Sequence, residues 1–192
     1  GVFNLNPDDY PHIKELINLF INWDRKADVN NKAAAHWYVY FKHLRKSVKK
    51  LKLDVQLPVE DSILVKSLEH TQDFFMHNFG TLDVLHGEFQ KHIRANVQLP
   101  VPGLMDMIAA TSSNKYDSTK IKAVSGDSYI MLIRYSEDKV EIETVLPYGI
   151  SNHEDSPHHT DQMHMYVNHQ RKRMTLDKDE IYKTAKSIYH PK

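Results

Sequence analysis

The sequence contains no cysteine. That excludes disulfides, thiolate metal sites and a cysteine nucleophile, and it leaves the compartment open because exported proteins can do without disulfides. There is no excess charge of either sign, since 25 Lys and Arg balance 25 Asp and Glu. No basic field therefore gathers nucleic acid or anionic lipid, and neither is an expected partner. The six glycines are scattered, with no Gly-rich loop running into Lys-Ser or Lys-Thr, which argues against nucleotide binding. No apolar run approaches the ~18 residues of a membrane span, and no basic leader with an apolar core precedes the first helix. A first residue Gly1 in place of methionine fits a processed product, a cut piece that has lost a leader, or a cloning remnant.

What is present fits a folded chain: 192 residues, 41% hydrophobic and 26% charged, too apolar for disorder and long enough for one core. A single unit over 1–192 is expected, with a helical part at 1–80 and a part of loop, hairpin and helix at 81–192. After Asn6-Pro7-Asp8-Asp9, a helix start, Ile13, Leu16, Ile17, Phe20 and Ile21 recur at helical spacing. Ala33, Trp37, Phe41, Leu44, Val48 and Leu51 form a second stripe of about six turns, off which most of the Arg45 to Lys52 basic run lies as a solvated face. Leu57-Pro58 breaks the pattern, and a third helix carries Leu64, Leu68, Phe74 and Phe75 toward a stop at Gly80.

Breakers at Leu99-Pro100-Val101-Pro102-Gly103 and a polar run from Thr111 to Asp117 predict irregular backbone between about 86 and 127. Ser128–Tyr135 and Lys139–Leu146 are then two β-rich runs around Ser136-Glu137-Asp138, with Glu141 and Glu143 alternating against Val140 and Ile142, which predicts a hairpin with one wet face. A last helix is expected from the acidic Thr175–Glu180 start to Tyr189. The fold class is α+β, with helices first, an irregular segment, a late antiparallel hairpin and a C-terminal helix.

Thirteen histidines are many, and His153, His158, His159, His164 and His169 fall close together. Zinc or nickel held by them, with Asp161 or Asp155, is the sharp possibility. The intervals of five, one, five and five do not favour it, because five residues turn a helix by about 500° and separate neighbours. No metal site and no cofactor is expected. There is no Gly-x-Ser-x-Gly elbow, and Gly126-Asp127-Ser128 precedes a strand, so Ser128 is not taken as a nucleophile. Glu88 and Arg94 are expected to be structural charges.

Four pieces in order carry a resemblance: Ile21-Asn22-Trp23-Asp24; Gly87-Glu88 with His92-Ile93-Arg94; Leu99 to Gly103; and Gly126-Asp127-Ser128-Tyr129 through Tyr148-Gly149 to Ser156-Pro157-His158 and Asp161-Gln162. Together they resemble the last third of the large subunit of the penicillin acylase (penicillin amidase) family, hydrolases with an N-terminal nucleophile.

The resemblance implies part of an αββα sandwich. It also implies an enzyme that hydrolyses the amide of N-acylated small molecules of β-lactam, acyl-homoserine lactone or lipopeptide type. The implied partners are the rest of the large subunit and the small subunit, and the implied location is periplasmic or secreted. The family's serine nucleophile, its α-amine base and its oxyanion asparagine map to no residue here, so no catalytic residue is assigned and the piece alone is expected to be inactive. A glutamate that orients a histidine in some relatives falls near Arg134, and that role is not carried over. Gly126, Asp127, Ser128, Ser156, His158, Asp161 and Gln162 match motif positions. They are expected to be structural, as a turn locking the final segment, with a lining of the acyl pocket as the other possibility. From a different class, a free-standing α+β interaction module would bind through Trp37, Tyr40 and Phe41.

Overall fold

A computed structural model describes residues 1–51, 59–105, 107–137 and 139–189, so the Leu57-Pro58 breaker lies outside the described residues. The chain divides into two compact units, Gly1–Gly126 and Asp127–Lys192, and the boundary lies at 126/127 instead of a division of one unit at 80/81.

In the first unit three short 3-10 turns lead into α1 (Lys14–Ile21), which buries Leu16, Ile17 and Phe20. The Asn6 carboxamide accepts from Asp8 N–H and Pro7 takes the first position of the second turn. α2 (Lys32–Lys50) starts where the Asn31 side chain accepts from Ala34 N–H at 3.0 Å. Its first half is buried on almost every side, from Ala33 through His36 to Tyr40. A helix apolar all round belongs in the interior. Tyr40 is fully buried, and Trp37 and Phe41 are half-buried and stacked together, so the aromatic face expected to bind a partner is packed within the fold. α3 (Asp61–Phe79) buries Leu64, Leu68 and Phe75 and ends at Gly80 with φ 72°, the left-handed stop. Its buried Ser67 and Thr71 hydroxyls donate to the carbonyls of Ile63 and Ser67, which keeps both satisfied in the interior.

The segment expected to be irregular instead contains a short helix, α4 (His86–Phe89), and four strands: β1 (Gln90–Arg94), β2 (Val97–Pro100), β3 (Thr111–Lys115) and β4 (Ile121–Gly126). They form a sheet in the order β2-β1-β4-β3, with β1 and β4 parallel and the other pairs antiparallel. Pro100 is tolerated because it ends an edge strand. The polar run is a strand because its inward residues, Thr111 and Ser113, are buried and bonded to Pro102 O and to Gln90 Oε1.

One buried network ties these pieces together. Gln90 Nε2 donates to Gly103 O at 2.8 Å and Val101 O at 3.1 Å, while its Oε1 accepts from Ser113 Oγ at 2.9 Å. His86 Nε2 donates to the same Gly103 O at 3.0 Å. Backbone bonds from His86 N to Asn31 O, Gly87 N to Val29 O and Gly103 N to Ala27 O fix the preceding loop to it. Gly103 has φ +96°, and a Cβ there would strike Ala109 O and come within 2.6 Å of Thr111 Oγ1.

The second unit is a three-stranded antiparallel sheet of order β5-β6-β7, made of β5 (Ile130–Tyr135), β6 (Val140–Val145) and β7 (Lys172–Met174). The hairpin is in the expected place. β7, three residues long and cationic, carries no pattern from which sequence reasoning finds it. β5 is an edge strand on which Met131, Leu132, Ile133 and Tyr135 are exposed. α5 (Met163–Val167) is a single short turn, and α6 (Lys178–Thr184) is shorter than the helix expected to reach Tyr189. Its cap is Asp177, whose carboxylate accepts from Glu180 N–H, and Arg173 pairs with Glu180 through two bonds at 2.8 and 2.9 Å. No helix among the described residues is long and apolar enough to cross a membrane.

Two buried imidazoles couple this fold to pH. His36 stacks on Phe75 at 3.9 Å and donates from Nδ1 to Lys32 O, while its buried Nε2 has no partner among the described residues. Burial lowers the proton affinity of His36 and of His86, each to a pKa of about 4. The unfolded chain protonates both near the ordinary value of 6.5. Stability is therefore full above about pH 6.5 and lost toward pH 4, by up to about 1.4 kcal/mol per pH unit for each ring. Urea denaturation across that window should show the loss, and His36→Leu should remove about half of it, leaving the His86 share; a flat wild-type profile would contradict the assignment. Gln90→Leu strands Val101 O and the Ser113 hydroxyl and leaves Gly103 O with His86, and should lower stability by about 2–4 kcal/mol in the same assay.

Candidate functional site

The motif residues of the second unit close a loop. Ser156 Oγ accepts from His158 N–H at 3.2 Å, and His159 N–H donates to Ser156 O at 3.0 Å. His158 Nδ1 meets Asp161 Oδ2 at 2.8 Å, with both side chains open to solvent. Gln162 is buried: its N–H donates to Tyr148 O at 2.8 Å and its Oε1 accepts from Leu146 N–H at 3.0 Å. His158 O also accepts from Ser151 N–H, and Gly149 lies so close beneath that a Cβ would strike that oxygen and come within 2.6 Å of Asp161 Oδ1. Four motif residues, Ser156, His158, Asp161 and Gln162, are thus brought together.

The others sit elsewhere. Gly126 ends β4, where a Cβ would strike Ala110 O. Asp127 is half-buried and acts with Tyr148 on Tyr166, whose hydroxyl is held above its usual pKa by burial first and by these neighbours second. Ser128 is exposed at a bend. Among the described residues no imidazole or carboxylate bonds to Ser128, and no hydroxyl side chain bonds to the His158 ring. Arg134 lies on the exposed face of β5 and pairs with Glu141 at 3.4 Å. Glu88 is exposed and accepts from Leu85 N–H.

Of the five neighbouring histidines, His159 is buried and donates to Ser151 O, while His153, His158, His164 and His169 are exposed. No group of three or more His, Asp or Glu that could hold a metal ion occurs among the described residues.

Sequence reasoning missed a serine–histidine contact in the first unit. His43 Nδ1 lies 3.1 Å from Ser67 Oγ, the geometry of an activated nucleophile. Ser67 is fully buried, however, and its single hydroxyl proton goes to Ile63 O at 2.9 Å. His43 must therefore donate from Nδ1, so it cannot take the serine proton and the pair is not a nucleophile with its base. The signal available beforehand was register: Tyr38, Lys42 and Lys46 on one row of α2, with Val39 and His43 on the next.

Cavities open among the described residues of this unit. One of about 650 Å³ is lined by polar groups that include Asn18, Asn22, Asp24 and Asp83. Asp24 is already engaged there, accepting from Lys26 N–H and Asn31 Nδ2, and Trp23 Nε1 donates to Lys26 O. Another, of about 290 Å³, lies beside His43.

A family model described as penicillin amidase matches residues 9–183. Among solved structures the chain is similar to a thermostable penicillin G acylase from Alcaligenes faecalis, with 13% identity and a TM-score of 0.48. The alignment covers 100% of this chain and 45% of that one, so the chain spans less than half the length of that acylase chain. No curated protein matches the sequence at a significant level. The family model accounts for most of the sequence, from the first amphipathic helix to the last, and on that ground the chain belongs to the penicillin amidase family.

Proposed function

We propose that these 192 residues are one part of a hydrolase that cleaves the amide of N-acylated small molecules of β-lactam, acyl-homoserine lactone or lipopeptide type. The single observation that supports this reading is the family match over residues 9–183. The nucleophilic serine comes from the rest of the large subunit, which with the small subunit is this part's partner, and the enzyme works in the periplasm or outside the cell. The reading agrees with the state of the serines considered above, since Ser67 is sealed in the core and Ser128 has no base beside it among the described residues.

The native gene product carrying these residues, purified from its source, should release free amine from such N-acyl amides, and a serine-directed sulfonyl fluoride should stop it. The 192-residue chain alone should release none. Hydrolysis by the chain alone, or none by the native product across the three substrate types, would reject the proposal. A second reading, a free-standing interaction module, is favoured by the exposed apolar edge strand β5. It predicts the second of those failures.

The motif loop holds structure in this reading, as the two bonds of buried Gln162 to the 146–148 segment support. Gln162→Leu strands Leu146 N–H and should lower the denaturation midpoint by the equivalent of about 1–3 kcal/mol. His158→Ala removes only a solvent-exposed pair and should cost less than about 1 kcal/mol. Normal stability of His158→Ala combined with a large loss of native-enzyme activity would instead assign the loop to the acyl pocket.

A further inference from the structure

The cavity of about 290 Å³ in the first unit combines two properties. Its floor is carbon: Tyr38, Val39, Phe89 and Ile121 are buried side chains and Phe74 is half-buried. Its rim is cationic, with Lys42 and Lys46 from α2, Lys115 from β3 and Lys120 from the turn before β4. The volume exceeds the ~150 Å³ that suffices for a benzene ring in an engineered apolar cavity.

The one carboxylate of the lining does not neutralise this rim. Asp117 accepts from Thr119 N–H, Thr119 Oγ1 and Lys120 N–H, and pairs with Lys120 Nζ at 3.4 Å. Lys42 Nζ is held over the floor by donating to the Tyr38 hydroxyl at 3.1 Å. Lys46 and Lys115 make no ion pair among the described residues. The surplus positive charge is felt by a neighbour: His43 has a lowered proton affinity, from burial first and then from His70, stacked on it at 4.2 Å, and from Lys46.

Lysines are strongly hydrated, and a ring of them around an apolar floor leaves unbalanced charge beside surface that water wets poorly. A ligand with an apolar body and one anionic head corrects both at once. We infer that this cavity binds a small amphipathic carboxylate, aromatic or short-chain alkyl, with its hydrocarbon on Tyr38, Phe74 and Phe89 and its carboxylate between Lys46 and Lys115. The site is independent of the amide chemistry proposed above and shares none of its motif residues.

Titration calorimetry of the 192-residue chain with naphthoate, and with the uncharged isostere naphthamide, tests it. Naphthoate should bind saturably at one site, about tenfold or more tighter than naphthamide, and should shift the NMR signals of the His43 and His70 rings. Lys46→Gln together with Lys115→Gln, both exposed and so expected to leave the thermal transition unchanged, should abolish the preference for the acid. Arg45→Gln, a charge on the same helix outside the cavity lining, should leave it intact. Equal affinity for acid and amide, absence of saturable binding, or an unaltered preference in the folded double-lysine variant would each overturn the inference.

Discussion

The first unit depends on a single carbonyl. Gly103 O accepts from both His86 and Gln90, and through Gln90 it reaches Ser113 and Val101. These residues come from α4, β1, β3 and the loop after β2, elements that share no long hydrophobic face. Four short strands bury little apolar area each, so the sheet takes its register from groups that must find a partner in a dry interior. The glycine is part of the same constraint, because only a residue without Cβ lets that loop fold beneath Ala109 and Thr111.

Around this network the helices supply the hydrophobic bulk, and they do so with rings. Phe20, Trp37 and Tyr40 pack together on one side of α2, while Phe75 contacts His36, Phe79 and Phe89. Aromatic surfaces bury much area at small cost in side-chain freedom. Near Phe74 and Phe89 the packing is left open, and it is there that lysines crowd an apolar floor.

What the sequence makes legible follows from period. The helices over Lys14–Ile21, Lys32–Lys50 and Asp61–Phe79 carry 3.6-residue stripes, and Gly80 stops the third as expected. In the hairpin, β6 carries a two-residue alternation, Val140 and Ile142 against Glu141 and Glu143, and β5 is marked by its run of strand-forming residues. The sheet of the first unit carries neither, since its inward positions include Gln90, Thr111 and Ser113, polar side chains whose burial depends on partners distant in sequence. The expectation of a loop there failed for that reason. The aromatic row of α2 suggested a binding surface because periodicity marks an apolar face without saying whether other chain covers it. The motif loop stood out in sequence, but its bonds to 146–148 and the packing of Gly149 under His158 belong to tertiary geometry.

β5 presents apolar side chains and, along its outer edge, a row of backbone donors and acceptors with no neighbouring strand among the described residues. A bare strand of this kind is a template: another β5 in the same orientation, or any extended apolar segment, can extend the sheet by one more strand without a change in fold. At high concentration this strand is therefore a place where copies can pair. Reversing a charge elsewhere does little against that pairing, whereas one added lysine among residues 131–133 interrupts the template directly.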